Sequence, residues 1–385
     1  MVYNFETPEH ELLRETVRTF AEKQIAPLAK QLDDEEKFSY ATAEEMGKLG
    51  LFGMLVSPDL GGQGADYLSY IIAVEELARV DSSHAATIAA HNSLGIGPIY
   101  YYGTQEQKKK YIPNLCTGKG LWAFGLTESE AGSDAQAGKT TARYNATSKT
   151  WTLNGSKMWI TNSSTDITDG ITVLATTGKK PDGKAEMTCF IVPKGSPGLT
   201  ARTMKQKLMW RSSNTGELFF DNVEVKETHI LGRVGEGFKI MMDTLDNGRL
   251  SIAAMGLGLA KGAFDLTLKY AKERKTFGKP LVKHQAIAFK LADMATRIEA
   301  AEGLLYKACY LRQESKPFQK LAAMAKLYCS ELAEFCAREG QQTFGGYGLM
   351  KEYPIERHYR DAALLRIGEG TSEIQRIVIS RYLGC

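Results

Sequence analysis

Long apolar runs are missing from this chain. No stretch approaches the roughly 18 consecutive apolar residues that mark a membrane-spanning helix, so no span is expected. An excess of one charge is missing too: 48 Lys and Arg face 45 Asp and Glu, a net of +3 over 385 residues. That balance gives no broad basic face and makes nucleic acid a poor partner. The six cysteines (Cys116, Cys189, Cys309, Cys329, Cys336 and Cys385) include no Cys-x-x-Cys pair. Reduced thiols in a reducing compartment fit that scatter better than disulfides or a zinc site. The six histidines (His10, His84, His91, His229, His284 and His358) include no pair at helical ligand spacing, so no metal is expected. Met1-Val2-Tyr3-Asn4-Phe5 lacks the charged-then-apolar pattern of a signal peptide. Neither Gly256-x-Gly258 nor Gly345-Gly346-Tyr347-Gly348 makes a G-x-G-x-x-G fingerprint, and there is no Walker loop and no G-x-S-x-G elbow. Any dinucleotide is therefore held by an architecture other than a doubly wound sheet.

What is present is ample apolar content, 43% of the chain, in a helix–strand–helix order. Leu12, Leu13, Val17, Phe20, Ile25 and Leu28 recur at helical spacing from Glu9 to about Leu32. Thr42 to Leu49, Tyr70 to Val80 and Thr104 to Tyr111 read the same way, giving a helical region over 1–120. Short β-prone runs follow: Trp151–Leu153, Ile171–Leu174, Cys189–Val192 and Glu217–Phe220. Turn residues bound them, among them Asn154-Gly155, Pro181-Asp182-Gly183, Pro197-Gly198 and Asp221-Asn222. They predict a small antiparallel β domain over 121–233. Helical periodicity returns over about 238–274, 281–313, 317–343 and 372–383, a helical bundle over 234–385.

Four segments have chemical possibilities, each with a plain alternative. In Gly368-Glu369-Gly370-Thr371-Ser372, the spacing of Ser372 and Gln375 predicts a helix starting near Ser372. Glu369 then sits in a glycine-flanked turn. It is a general base if it faces an apolar pocket, and otherwise an exposed loop glutamate. Leu126-Thr127-Glu128-Ser129-Glu130-Ala131-Gly132-Ser133-Asp134 suits a phosphate or a ring edge, and equally an ordinary surface turn. Trp159-Ile160-Thr161-Asn162 offers a stacking face beside a hydroxyl, or a tryptophan of the β core. Glu273-Arg274-Lys275-Thr276-Phe277-Gly278 ends a helix with cations on its dipole, or presents an arginine for bidentate diphosphate binding.

Taken together, these residues resemble the acyl-CoA dehydrogenases, flavoenzymes of fatty-acid and amino-acid degradation. The resemblance spans nearly the whole chain. It rests first on Ala123-Phe124-Gly125-Leu126-Thr127-Glu128 running on to Ala131-Gly132-Ser133-Asp134, and then on Glu273–Gly278 with Gln285. Last come Gln342-x-x-Gly345-Gly346-Tyr347-Gly348, Glu352-Tyr353-Pro354, Arg360-Asp361-Ala362 and Glu369–Glu373. The fold this implies is mainly α with a middle β domain: an N-terminal helical domain, a central β-barrel-like domain and a C-terminal four-helix bundle. The implied cofactor is FAD. Phe124, Leu126, Thr127, Ser133, Trp159 and Thr161 match positions that line the flavin and its phosphates. Arg274, Phe277, Gln285, Gln342 and Gly346 match positions that reach the FAD of a neighbouring subunit, and Thr371 and Glu373 lie toward the diphosphate and adenosine. Ser133, Asp246, Arg249 and Gly370 match substrate-binding positions, and Glu369 matches the catalytic base. The implied reaction takes a short- or medium-chain acyl-CoA to its trans-2-enoyl-CoA. The α-proton goes to Glu369 and the β-hydrogen goes as hydride to flavin N5. An electron-transferring flavoprotein as acceptor and a homotetramer are further family expectations. The implied compartment is a bacterial cytoplasm or a mitochondrial matrix.

The chain departs from the family pattern at Ser129, Ser163-Ser164, Met209 and Gly368. Gly368 replaces the aromatic residue that usually precedes the base, which widens the space beside it and favours a branched or cyclic acyl group. Some subfamilies carry the base just before Arg249, where this chain has Gly248, so Glu369 is left as the base. The segment Ser83 to Pro98 contains no Arg, which disfavours a dicarboxylic acyl group. An acyl-CoA oxidase is the alternative enzyme, and such relatives usually carry a long extension beyond the point where this chain stops, Cys385. A non-catalytic flavoprotein on the same fold is the alternative from another class.

Overall fold

The periodicity that begins at Glu9 folds in two pieces. Helix α1, Pro8–Phe20, starts with proline at its first position behind a Thr7 cap, and one π-helical turn, Ala21–Ile25, joins it to α2, Ala26–Glu35. The computed structural model describes residues 5–385; Met1 to Asn4, and with them most of the segment read for a signal pattern, lie outside the described residues. Then come α3 (Tyr40–Lys48), α4 (Tyr67–Val80), α5 (Ser82–Ala89), a π-helical stretch over Ala90–Ile96, α6 (Gly97–Tyr102) and α7 (Gln105–Leu115). Asp66 and Asp81 cap α4 and α5 through their side chains. Helices α5 and α6 are additional to the sequence reading. Every residue of α5 is buried, so it carries no amphipathic stripe to detect, and α6 is only six residues long, too short to show one.

Eight strands follow: β1 (Leu121–Gly125), β2 (Thr141–Asn145), β3 (Thr150–Thr161), β4 (Thr168–Lys179), β5 (Ala185–Pro193), β6 (Leu199–Thr203), β7 (Thr215–Lys226) and β8 (Ile230–Leu231). Their order is β6-β7-β3-β2-β4-β5-β8, with β1 on β4. The module is mixed, not purely antiparallel as read from sequence, because β1 and β2 both run parallel to β4. Asn154-Gly155, read as a turn, lies inside β3. There the register with β7 slips between Leu153 and Gly155, and Gly155 takes a φ of +143°. The glycine marks a bulge, which a local reading cannot tell from a turn. Trp151, Leu153, Val173, Phe190, Leu218 and Phe220 fill the interior of the sheet.

The last part is α8 (Gly237–Glu273), a ribbon of β9 (Lys275–Thr276) and β10 (Lys279–Pro280), α9 (Gln285–Gln313), α10 (Gln319–Phe344), α11 (Ile355–Leu365) and α12 (Ser372–Leu383). The start of α12 agrees with the sequence expectation, while α11 was not anticipated. One apolar core runs from α1 and α4 through α8, α9 and α10, so the first and last helical regions pack as one body. Two fully buried carboxylates on α4 help lock it. Glu75 accepts from Arg14 (2.9 Å) and Lys261 (2.6 Å), and Glu76 from Arg14 (2.6 Å) and Arg18 (2.8 Å). Among the described residues no helix is long and apolar enough to cross a membrane, and all six cysteines are unpaired.

Candidate active site

Glu369 is held in the turn between α11 and α12. Both Glu369 (φ +54°) and Gly370 (φ +91°) take left-handed backbone. That conformation disfavours a side-chain-bearing residue by about 1–2 kcal/mol, so surrounding contacts must fix it. The Gln375 amide donates to the carbonyls of Glu369 (3.3 Å) and Gly370 (3.0 Å). Lys326 Nζ, reaching across from α10, donates to the same Gly370 carbonyl at 2.7 Å. Thr371 caps α12 by accepting from the Ile374 N–H at 3.2 Å. The capping-box reading of Ser372 with Gln375 is therefore corrected: Thr371 is the cap, and Gln375 serves the turn.

The carboxylate points into the junction of α8 with the 90–96 stretch. Its Oε2 has no exposed surface and no hydrogen-bond partner. A Cβ built on Gly248 would lie 2.1 Å from that oxygen and 3.1 Å from Leu94 Cδ2, so the missing side chain at Gly248 is what makes the room. Burial raises the carboxyl from 4.5 to about 7, against the opposing pull of the Lys326 and Arg249 cations. A carboxyl poised there, aimed at a space with no protein partner, is suited to taking a proton from a bound molecule. Arg249, the next residue along α8, pairs with Asp246 one turn earlier, and its Nε is buried without a partner. Burial raises the Asp246 carboxyl, with Arg249 opposing.

The second group of sequence-predicted residues lies on the sheet. Phe124 is buried in β1; Leu126 and Thr127 follow, half-buried; Ser133 is exposed. The loop between them is no free surface turn. Buried Glu128 accepts from Lys157 Nζ (2.7 Å) and from the N–H groups of Lys139 (2.6 Å) and Thr140 (3.1 Å). Lys157 also donates to the Leu126 carbonyl at 3.1 Å, and the Met158 N–H to that of Thr127 at 2.9 Å. Trp159 stands on a β3 bulge with φ +57° and is 55% exposed, which excludes the reading of it as a core tryptophan. Packing of the ring does not account for a large residue held in left-handed backbone with its side chain toward solvent. Three residues on, Asn162 Nδ2 donates to the Thr87 carbonyl at 3.0 Å. Thr87 stands about 10 Å along its helix from Leu94, the residue beside Glu369. The structure thus places Asn162, just past the end of β3, and the Glu369 carboxylate along one helical stretch, residues 87–94.

The third group does not join them within one chain. Arg274, Phe277, Gln285, Gln342 and Gly346 are all exposed, and Phe277 is 94% so, with φ +46°. They gather around the β9–β10 ribbon and the 345–349 turn. A cavity of about 550 Å³ there is lined by Tyr270, Arg274, Phe344, Gly346, Tyr347 and Met350. At 1.5 Å per helical residue, Arg274 is roughly 37 Å along α8 from Arg249. One ligand can touch both only if it spans that length or if a second chain brings its own Arg274. Thr371 is half-buried at its cap, and Glu373 is exposed on the first turn of α12. A separate cavity of about 250 Å³ lies one turn before Gly248, lined by Tyr67, Ser93, Thr244, Asn247 and Arg312; it includes neither Glu369 nor Arg249.

Leu94 and Lys326 were absent from the sequence expectations, Gln375 was read only as a capping residue, and the pairing of Glu128 with Lys157 was not foreseen. A signal existed for Lys326, a lone cation amid Ala322, Ala325, Cys329 and Ala333 on a buried helix face. The FAD that the resemblance implies fits what is present: an outward-facing indole at Trp159, and backbone at Gly132, Gly345 and Gly346 with nothing within 4 Å of an added Cβ.

Comparison with known proteins bears on all three regions. Profiles of the acyl-CoA dehydrogenase N-terminal, middle and C-terminal domains match residues 7–119, 123–223 and 235–384. The probable acyl-CoA dehydrogenase YngJ of Bacillus subtilis is 47% identical over 381 residues, 99% of each chain. The mitochondrial short-chain specific acyl-CoA dehydrogenase of Bos taurus is 45% identical over 98% of this chain and 91% of its own. The structure of butyryl-CoA dehydrogenase from Megasphaera elsdenii superposes with a TM-score of 0.95 at 42% identity, covering both chains in full.

Proposed function

The chain belongs to the acyl-CoA dehydrogenase family, and from that premise we propose that it oxidises a short-chain acyl-CoA to the 2-enoyl-CoA with Glu369 as the base. The observation that carries the assignment of the base is the buried, unpartnered Glu369 Oε2 beside Gly248. A desolvated carboxylate has no hydrogen bonds to give up before it takes a proton, and its raised pKa matches it to a weakly acidic C–H. Glu369 removes the α-proton of the thioester. Arg249 and Asp246 hold the CoA portion, with Ser133 from the β module. Phe124, Leu126, Thr127, Ser133, Trp159 and Thr161 hold FAD, and Thr371 and Glu373 lie toward its diphosphate and adenosine. When bound, FAD supplies the acceptor for the β-hydrogen, which leaves as hydride. Burial of the junction keeps water from the carboxylate and from the acidified C–H.

The same proposal extends to assembly and partner. The roughly 37 Å between Arg249 and Arg274 supports a site completed by a neighbouring subunit's Arg274, Phe277, Gln285, Gln342 and Gly346, in a homotetramer. An electron-transferring flavoprotein is the acceptor, in a bacterial cytoplasm or a mitochondrial matrix. Short-chain specificity follows the relatives; a branched chain is favoured by Gly368, where the nearest neighbour of an added Cβ is Leu364 at ordinary contact distance, 3.7 Å. The test is anaerobic titration of the purified flavoprotein with butyryl-, octanoyl-, isobutyryl-, 2-methylbutyryl- and isovaleryl-CoA beside Glu369→Gln. Bleaching of the flavin band by a short acyl-CoA, absent in the variant, is expected. Bleaching that persists in the variant refutes Glu369 as base, and butyryl-CoA turnover far above every branched substrate refutes the role given to Gly368.

A further inference from the structure

Lys326 is a fully buried ammonium in the middle of α10, among the buried residues Ala322, Ala325, Cys329, Ser330 and Ala333. Putting a lysine there is costly unless the charge meets a partner. Its hydrogen-bond partner is the Gly370 carbonyl, one residue beyond Glu369 in the turn. That carbonyl also accepts from Gln375, so two donors from two helices hold a single peptide of the left-handed turn. The charged and titratable groups facing this place come from four elements. They are Arg249 on α8, already paired with Asp246; Tyr70 on α4; Glu373 on α12, which is exposed; and Glu369 itself. Lys326 is thus the buried cation beside Glu369 that no carboxylate pairs with.

Resting on the reading of Glu369 as base, we propose that Lys326 is a positioning residue: it fixes the Glu369–Gly370 turn and favours the ionised Glu369 carboxylate where burial favours the neutral acid. The two roles separate by chemistry. The hydrogen bond needs an N–H donor, whereas the bias toward the carboxylate needs a charge. Burial lowers the lysine to about 8 against the opposing pull of Glu369, and Lys326 in turn opposes the rise that burial imposes on Glu369. Such reciprocal influence is expected of two groups that stabilise each other's charged forms.

The experiment is the pH profile of kcat/KM, measured on the FAD-loaded enzyme with an acyl-CoA that it turns over, for wild type, Lys326→Gln, Lys326→Arg and Glu369→Gln. Lys326→Gln keeps a donor and loses the charge. Its acid limb should move up by about one pH unit or more, with activity recovering at alkaline pH. Lys326→Arg should keep the limb within a few tenths of a unit of wild type, with any loss in kcat and not in KM. Thermal unfolding and flavin content of each variant, read in parallel, separate misfolding from mispositioning. An unmoved acid limb in a folded, flavin-loaded Lys326→Gln overturns the proposal while leaving Glu369 as base. If Lys326→Gln does not fold, the arginine variant decides: a limb shifted as far as one unit despite its retained charge also overturns it. Full activity in Glu369→Gln would instead overturn the underlying reading.

Discussion

Replacing Gly248 by alanine should separate stability from activity more cleanly than any other single change in this chain. An added Cβ would lie 2.1 Å from Glu369 Oε2, and real Cβ contacts essentially never fall below 3.0 Å, so the carboxylate must retreat by about 1 Å. The obstructing atom is the free end of a side chain, and Leu94 Cδ2, at 3.1 Å, needs only a slight adjustment. Folding should therefore tolerate the substitution. Alanine in the interior of α8 gains about 0.8–1 kcal/mol of helix propensity over glycine, which offsets the crowding. Catalysis should not tolerate it, because a 1 Å misplacement of a reacting group costs on the order of 100-fold. That factor corresponds to about 2.7 kcal/mol of transition-state stabilisation. The expected result is a Tm unchanged or slightly raised, full flavin content, and kcat/KM for a short acyl-CoA down about 100-fold, mostly in kcat. A Gly248→Ala enzyme within threefold of wild type would show that the working carboxylate does not rest against Gly248. A large fall in Tm would show that the junction cannot yield, and that the room at Gly248 is structural.

Other outcomes follow from the same contacts. Glu369→Gln should lower flavin reduction by acyl-CoA by at least about 100-fold. It should also raise Tm more at pH 8 than at pH 5. The folded carboxyl titrates near 7 and the free one near 4.5, so its contribution to stability is present below 4.5 and lost as pH rises through 7. A stability gain equal at both pH values would contradict that. Lys157→Met leaves Glu128 buried without its cation and should cost about 3–5 kcal/mol, read by urea unfolding of the flavin-free protein; a loss under about 1 kcal/mol would mean that the loop rearranges. Arg274→Gln should come off purification with less FAD, and mixing it with a Glu369→Gln chain should yield hybrids of intermediate flavin content. Undiminished flavin in Arg274→Gln homo-oligomers would exclude its diphosphate role.

Much of this protein was legible locally. Caps, periodicity and turn chemistry act over a few residues, so the helix–strand–helix order, the break before Ser372 and the exposed turn at Arg274 could all be read along the chain. Where local signals are ambiguous the reading failed. Gly155 marks a bulge inside β3 and not a turn, α5 is buried on all sides and α6 is too short, so neither shows a stripe. The candidate site divides the same way. Glu369 and its flanking glycines stood out in sequence, and so did Trp159 and Arg274. Whether Glu369 is an exposed loop residue or a buried base was undecided there, because that depends on what surrounds it. Leu94, Gly248 and Lys326 come from separate helical segments, far from residue 369 along the chain, and meet only when the 90–96 stretch, α8 and α10 pack together. Sequence by itself determined which residues carry charge and where the backbone can turn. Tertiary structure alone decided which charge loses its water, and desolvation is what turns a glutamate into a base.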